Sequence, residues 1–165
     1  MKDRVLSLVV TLTALQGFAQ CVPNPLYQDS VFGVWPDTVE GLRRLKTRYI
    51  IGTLSNGNVG LLTRMAKHAG LPWDVVLGSE TARAYKPLPQ AYLASAELLN
   101  LAPGRVMLVA AHNGDLAAAA SCGLRTAFVA RPTEYGPHQK VDFKADREWD
   151  VAADSFTGVA DQMGC

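Results

Sequence analysis

The chain has 165 residues, 48% of them hydrophobic and 19% charged, with a formal net charge of +1. That is enough chain for one domain with a real core, and too apolar for a disordered one. The near-neutral balance, with no basic stripe, argues against a nucleic-acid partner, and the three cysteines (Cys21, Cys122, Cys165) lack the spacing of a disulfide framework or a zinc site.

At the N-terminus, Lys2 and Arg4 precede an apolar stretch from Val5 to Ala14, with Gly17 and Ala19 beyond it. Two readings fit. Val5, Leu6, Leu8, Val9, Val10 and Leu12 form a short run rich in β-branched residues, which predicts a buried strand. Residues 1–19 also fit a secretory signal peptide, which would make the protein secreted or periplasmic. The strand is preferred, and with it the reducing cytoplasm that unpaired cysteines favour. The run is too short to span a membrane. The poorly patterned stretch that follows, with Pro23 and Pro25, reads as a linker. The expected organisation is therefore an N-terminal segment with linker over 1–33 and one domain over 34–165.

Regular structure starts at Pro36. Pro36, Asp37 and Glu40 stand at the front of a helix whose far end holds Arg43, Arg44, Lys46 and Arg48, matching the helix dipole. Val39, Leu42 and Leu45 form its inner face. Residues 49–54 read as a strand. Val59, Leu62, Ala66 and Ala69 step by three or four residues and predict a helix over 58–69, closed by Gly70. A short strand follows over 74–77, then a helix over 89–100 begun by Pro89, and a strand over 105–111. Asp115 opens a helix over 115–122, which Gly123 closes. A strand over 125–130, a polar loop over 132–150, an edge strand over 151–153 and a helix over 155–163 complete the chain. Trp35, Trp73 and Trp149 read as packing residues. This alternation predicts an α/β, Rossmann-like parallel sheet with right-handed crossovers and helices on both faces. All strand C-terminal ends then share one edge, where open α/β sheets place their sites.

Three stretches converge on that edge. Ser55 and Asn56 end a strand and precede a helix, where a hydroxyl, an amide and backbone N–H groups suit an anion; both are also ordinary helix caps. Lys86 lies just before the helix of Pro89, and a lysine drawn to that edge needs a carboxylate partner. Asp115 stands after the 105–111 strand, as that partner or as a cap of its own helix. Tyr92 falls between core and rim. His112 and Asp115 alone lack the ligands of a metal site, so no metal is assigned.

In order, Thr-Leu-Ser-Asn-Gly-Asn (53–58), Ala-Tyr-Lys-Pro (84–87) with Tyr92 six positions after Lys86, and Ala-Ala-His-Asn-Gly-Asp (110–115) resemble motifs two, three and four of the haloacid dehalogenase-like superfamily. The closer likeness is to its 2-haloacid dehalogenase branch, acting on L-2-haloacids. Trp-Pro-Asp (35–37) and Arg-Pro-Thr-Glu-Tyr-Gly (131–136) add to it, and the likeness covers about residues 34–165. It implies a hydrolase that removes halide from a short 2-haloalkanoic acid without a cofactor. An aspartate in a first motif, Asp-x-Phe-Gly-Thr, attacks the halogen-bearing carbon, and water hydrolyses the ester. Ser55 and Asn56 would hold the substrate carboxylate or the nucleophile. Lys86 would keep the nucleophile ionised, Asp115 would orient Lys86 or the water, and Tyr92 and His112 would line the substrate.

The first motif is absent. Thr11 or Thr13 stands about where its aspartate would be, Asp3 precedes the strand and Asp29 lies in the linker. The interval before Pro36 is too short for the family's helical cap, and Ala110 and His112 replace the Ser and Asn of some members. The expectation is a dehalogenase-like core with an incomplete N-terminus, most of its cap absent and little or no activity of its own, its Lys86 paired to Asp115 or turned to solvent. Two alternatives stay open. One is a phosphatase of the same superfamily, with Mg²⁺ held by Asp115 and a first-motif acid. The other is a catalytically dead binding module or homodimer. No membrane partner is expected.

Overall fold

The computed structural model describes residues 7–10 and 34–165. The linker and the rest of the N-terminal segment lie outside the described residues. Among the described residues there are five strands, β1 (Ser7–Val10), β2 (Ile50–Thr53), β3 (Val106–Ala110), β4 (Arg125–Val129) and β5 (Val151–Ala153), and six α-helices. These are α1 (Thr38–Lys46), α2 (Val59–Ala69), α3 (Ser79–Ala82), α4 (Pro89–Leu98), α5 (Asn113–Ser121) and α6 (Phe156–Gln162). All strand pairs are parallel, in the order β2-β1-β3-β4-β5. The apolar N-terminal run thus supplies the inner strand, with Val10 level with Thr53 on one side and Val109 on the other. The order reverses at β1 and β3, the kind of switch point where such sheets open a crevice. Among the described residues, no helix is long and apolar enough to cross a membrane.

The strands alternate their buried side chains between two apolar layers, as a period of two requires. Met107 and Val109 of β3, with Ala127 and Val129 of β4, pack against Leu42 and Leu45 of α1 and Phe156 and Val159 of α6. Val106, Leu108 and Ala110, with Phe128, pack on the opposite face against Tyr92 and Ala96 of α4 and Leu116 and Ala119 of α5. Gly41 lets α1 and α6 close up, since a Cβ there would lie 2.5 Å from the Phe156 Cβ. Trp73 packs at the margin of the first layer and Trp149 at the margin of the second.

The structure departs from the sequence pattern in four places. The strand expected over 74–77 is a single bridge, Gly52 to Val75. Backbone bonds from Asp74 and Val75 N–H to the Ile51 carbonyl and from Thr53 N–H to the Val75 carbonyl are present, but side chains take the groups at either end: Asp74 Oδ2 accepts from the Ile51 N–H (3.0 Å), and Thr53 Oγ1 exchanges bonds with Leu77 N and O (2.9 and 3.0 Å). Helix α3 was not predicted; at four residues it is too short for a periodic signal. Helix α1 starts at Thr38, two positions later than Pro36, because the Asp37 carboxylate turns away from its own helix to Arg131 and the Phe156 N–H. Helix α5 starts at Asn113, with His112 in the cap position, so Asp115 lies inside the first turn and does not cap it.

Candidate active site

That displacement of the α5 boundary aims Asp115. Its Oδ2 accepts from Lys86 Nζ at 2.6 Å and its Oδ1 from the Tyr92 hydroxyl at 2.7 Å. Side-chain exposure is 12% for Lys86 and 11% for Asp115, so the pair is largely removed from water. Burial pushes the Lys86 ammonium below the ordinary lysine range, and the Asp115 carboxylate works against that shift. Burial first, and the Asp115 carboxylate second, push the Tyr92 phenol well above its ordinary value, which keeps it a donor. The carboxylate also sits in the first turn of α5, where the helix dipole favours negative charge. Of the two expected states of Lys86, the structure has the paired one.

Lys86 is held by its backbone as well. Asn56 Oδ1 accepts from the Lys86 N–H (2.7 Å), and Asn56 Nδ2 donates to the Lys86 carbonyl (3.3 Å). The amide expected to hold an anion is thus engaged with the lysine loop. Ser55 Oγ accepts from the Gly57 N–H at 3.0 Å, closing the turn after β2. The N-terminus of α2 is also satisfied internally: Glu80 Oε2 takes the Val59 N–H (2.6 Å) and Asn58 Oδ1 takes the Leu61 N–H (2.7 Å). The free N–H groups expected there are therefore fewer than the sequence suggests. Ser55, Asn56 and Lys86 still border one small cleft, closed beneath by Leu54, Leu77 and Ala91.

His112 stands apart from Lys86 in its bonding. Its Nε2 lies 3.1 Å from Glu134 Oε2 and 2.8 Å from the Tyr135 hydroxyl, and the His112 and Tyr135 rings stack with centroids 5.6 Å apart. The hydrogen bond to Glu134 raises the imidazole above its ordinary range. Glu134, Tyr135 and Asn113 lie in stretches that carry the resemblance, but no role was assigned to them from the sequence. The one signal that could have found them is the length of the polar loop over 132–150: a loop that long in a compact domain needs anchors. Among the described residues, no group of three or more His, Cys, Asp or Glu is arranged to hold a metal ion.

A lysine–carboxylate–phenol cluster at the carboxyl edge of a parallel sheet, beside a Ser-Asn turn and near the switch point, defines a hydrolase-type α/β core. Residues 19–123 match the family model for haloacid dehalogenase-like hydrolases, and the chain belongs to that family. It is similar to the (S)-2-haloacid dehalogenase of Xanthobacter autotrophicus, 34% identical over 80 residues, which are 47% of this chain and 32% of that protein. The crystal structure of a defluorinating L-2-haloacid dehalogenase is similar at a TM-score of 0.80 and 56% identity, covering 82% of this chain and 55% of the other. A second L-2-haloacid dehalogenase matches at 0.79 and 48%, covering 80% and 57%. The chain spans little more than half the length of these solved relatives, and less of the Xanthobacter enzyme.

Proposed function

We propose that this chain is the core of a 2-haloacid dehalogenase, built for hydrolytic removal of halide from a short L-2-haloalkanoic acid, fluorinated acids included. The observation that carries the reading is the buried Lys86–Asp115 pair with Tyr92 on the second carboxylate oxygen. Such a pair keeps an ammonium charged in a dry setting, where it attracts a carboxylate most strongly. Lys86 would face the substrate carboxylate or an attacking carboxylate; Asp115 would hold the ammonium and orient water for ester hydrolysis. Ser55 would hold the substrate from the β2 side, Asn56 would hold it through Lys86, and His112 would border the site from the α5 side.

Strand β1 reads Ser-Leu-Val-Val and brings no carboxylate. We expect the 165-residue chain to bind a small carboxylate and to release halide only at background rate. The tests are calorimetric titration with L- and D-2-chloropropionate, chloride release, and phosphate-ester hydrolysis with and without Mg²⁺. The expected results are binding that favours the L enantiomer and is lost in Lys86→Ala, with no phosphate release. Mg²⁺-dependent phosphate release would overturn the reading in favour of a phosphatase. Failure to bind either enantiomer would overturn it, and chloride release above background would overturn the expected inactivity.

A further inference from the structure

The loop between β4 and β5 has almost no regular structure, yet it is fixed to the first turn of α5 by two adjacent residues. Asn113, 8% exposed, uses its whole side chain. Its Nδ2 donates to Asp142 Oδ1 and the Lys144 carbonyl (both 3.0 Å), and its Oδ1 accepts from the Asp146 N–H (3.1 Å) and Trp149 Nε1 (3.0 Å). Its backbone N–H adds a bond to Asp142 Oδ1 at 3.1 Å. His112 holds the earlier part of the loop through Glu134 and Tyr135. Two residues on, the same helical turn delivers Asp115 to Lys86.

We propose that His112 and Asn113 are positioning residues, a two-armed latch that holds the 131–149 loop against the turn carrying Asp115, and that the His112 arm is proton-dependent while the Asn113 arm is not. The asymmetry follows from the donor inventory. The Asn113 arm is made of amide, carbonyl, indole and carboxylate groups, with no imidazole among them. The His112 arm rests on one nitrogen shared by two oxygens. A charged imidazole forms an ion pair with Glu134, whose side chain is 7% exposed. A neutral ring keeps a single bond at Nε2, donated to Glu134 in one tautomer or accepted from Tyr135 in the other. Glu134, Tyr135 and Asp142 of the loop and Asp115 of α5 are the titratable groups facing the ring. The three carboxylates favour its charged form, so the arm stays closed above the ordinary imidazole range and loosens as pH rises further.

Amide hydrogen exchange on the ligand-free 165-residue chain tests this, with His112 titrated in parallel by ring NMR. It needs no turnover, so its failure leaves the dehalogenase reading intact. Protection of the Glu134, Gly136 and Gln139 amides, all bonded within the loop, should fall about tenfold across the His112 titration, beyond the intrinsic rate change, while the Asp146 amide stays protected. In Glu134→Gln the step should shrink severalfold, because the ion pair to the ring is gone while only Asp142 and Asp115 still favour its charge. In Asn113→Ala the Asp146 amide should lose protection at every pH. If Asn113→Ala does not fold, the comparison of the native chain with Glu134→Gln decides alone. A native loop with no step at the His112 titration, or an equal step in Glu134→Gln, would overturn the proposal.

Discussion

Asn56 grips Lys86 through both sides of its backbone: the amide oxygen takes the lysine N–H at 2.7 Å and the amide nitrogen donates to the lysine carbonyl at 3.3 Å, across 30 residues of sequence. The turn after β2 thereby fixes the loop that presents the ammonium. Asn56→Ala removes both bonds and should cost about 1–2 kcal/mol in urea unfolding. It should also weaken carboxylate binding, as should Ser55→Ala, which removes the hydroxyl proposed to meet the substrate from the β2 side and the bond that closes its turn. Asn56→Asp keeps the acceptor and loses the donor, and should fall between.

The Lys86–Asp115 pair predicts a strong asymmetry between its single variants. Asp115→Ala takes the paired carboxylate from a buried ammonium and the acceptor from the Tyr92 hydroxyl, and should destabilise by about 3–5 kcal/mol. Adding Lys86→Met to Asp115→Ala should recover much of that loss, because the charge is gone and the stem still packs. Denaturant unfolding of the two single variants and the double measures the coupling.

A second buried cation depends on Asp37. Arg131 is 2% exposed, and its guanidinium lies over the rings of Trp35 (4.9 Å) and Phe156 (5.2 Å). Asp37 Oδ2 pairs with Arg131 Nη2 at 2.9 Å and also takes the Phe156 N–H at 2.6 Å. Asp37→Ala should destabilise by about 3–5 kcal/mol, read in the same unfolding assay. Asp37→Glu should not rescue it fully, since the longer arm cannot meet both donors at once.

His112 gives the fold a pH dependence of known sign. Its folded pKa is raised, chiefly by the hydrogen bond to Glu134. The stability it contributes is therefore complete below the ordinary imidazole value near 6.5 and is lost as pH rises through the higher folded value. Urea unfolding free energies should fall across that window in the native chain, and much less in Glu134→Gln.

Much of this architecture was legible in the chain. The 3.6-residue stepping of Val59, Leu62, Ala66 and Ala69 and the apolar runs at 49–54 and 105–111 report local burial, and local burial decides the elements. The order Ser55, Lys86, Asp115 resembled the motifs of one family, and the structure brings Lys86 to Asp115. What escaped was set by distant partners. Asp74 and Thr53 side chains cut a ladder short to a single bridge, which no alternation of apolar residues can announce. Asn56 seemed suited to an anion, and its engagement with Lys86 depends on where a later loop falls. Asn113 stood out only as one letter of the 110–115 motif, while its role as anchor of a long loop rests on bonds to residues about 30 positions on.

The most direct measurement is an NMR titration of the isotope-labelled chain with L-2-chloropropionate. Saturable shifts should concentrate at Asn56, Lys86, Tyr92 and Asp115, with the Lys86 side-chain resonance moving most and the D enantiomer producing less. Shifts that map elsewhere, or a chain that stays unperturbed at high ligand concentration, would contradict the proposed site.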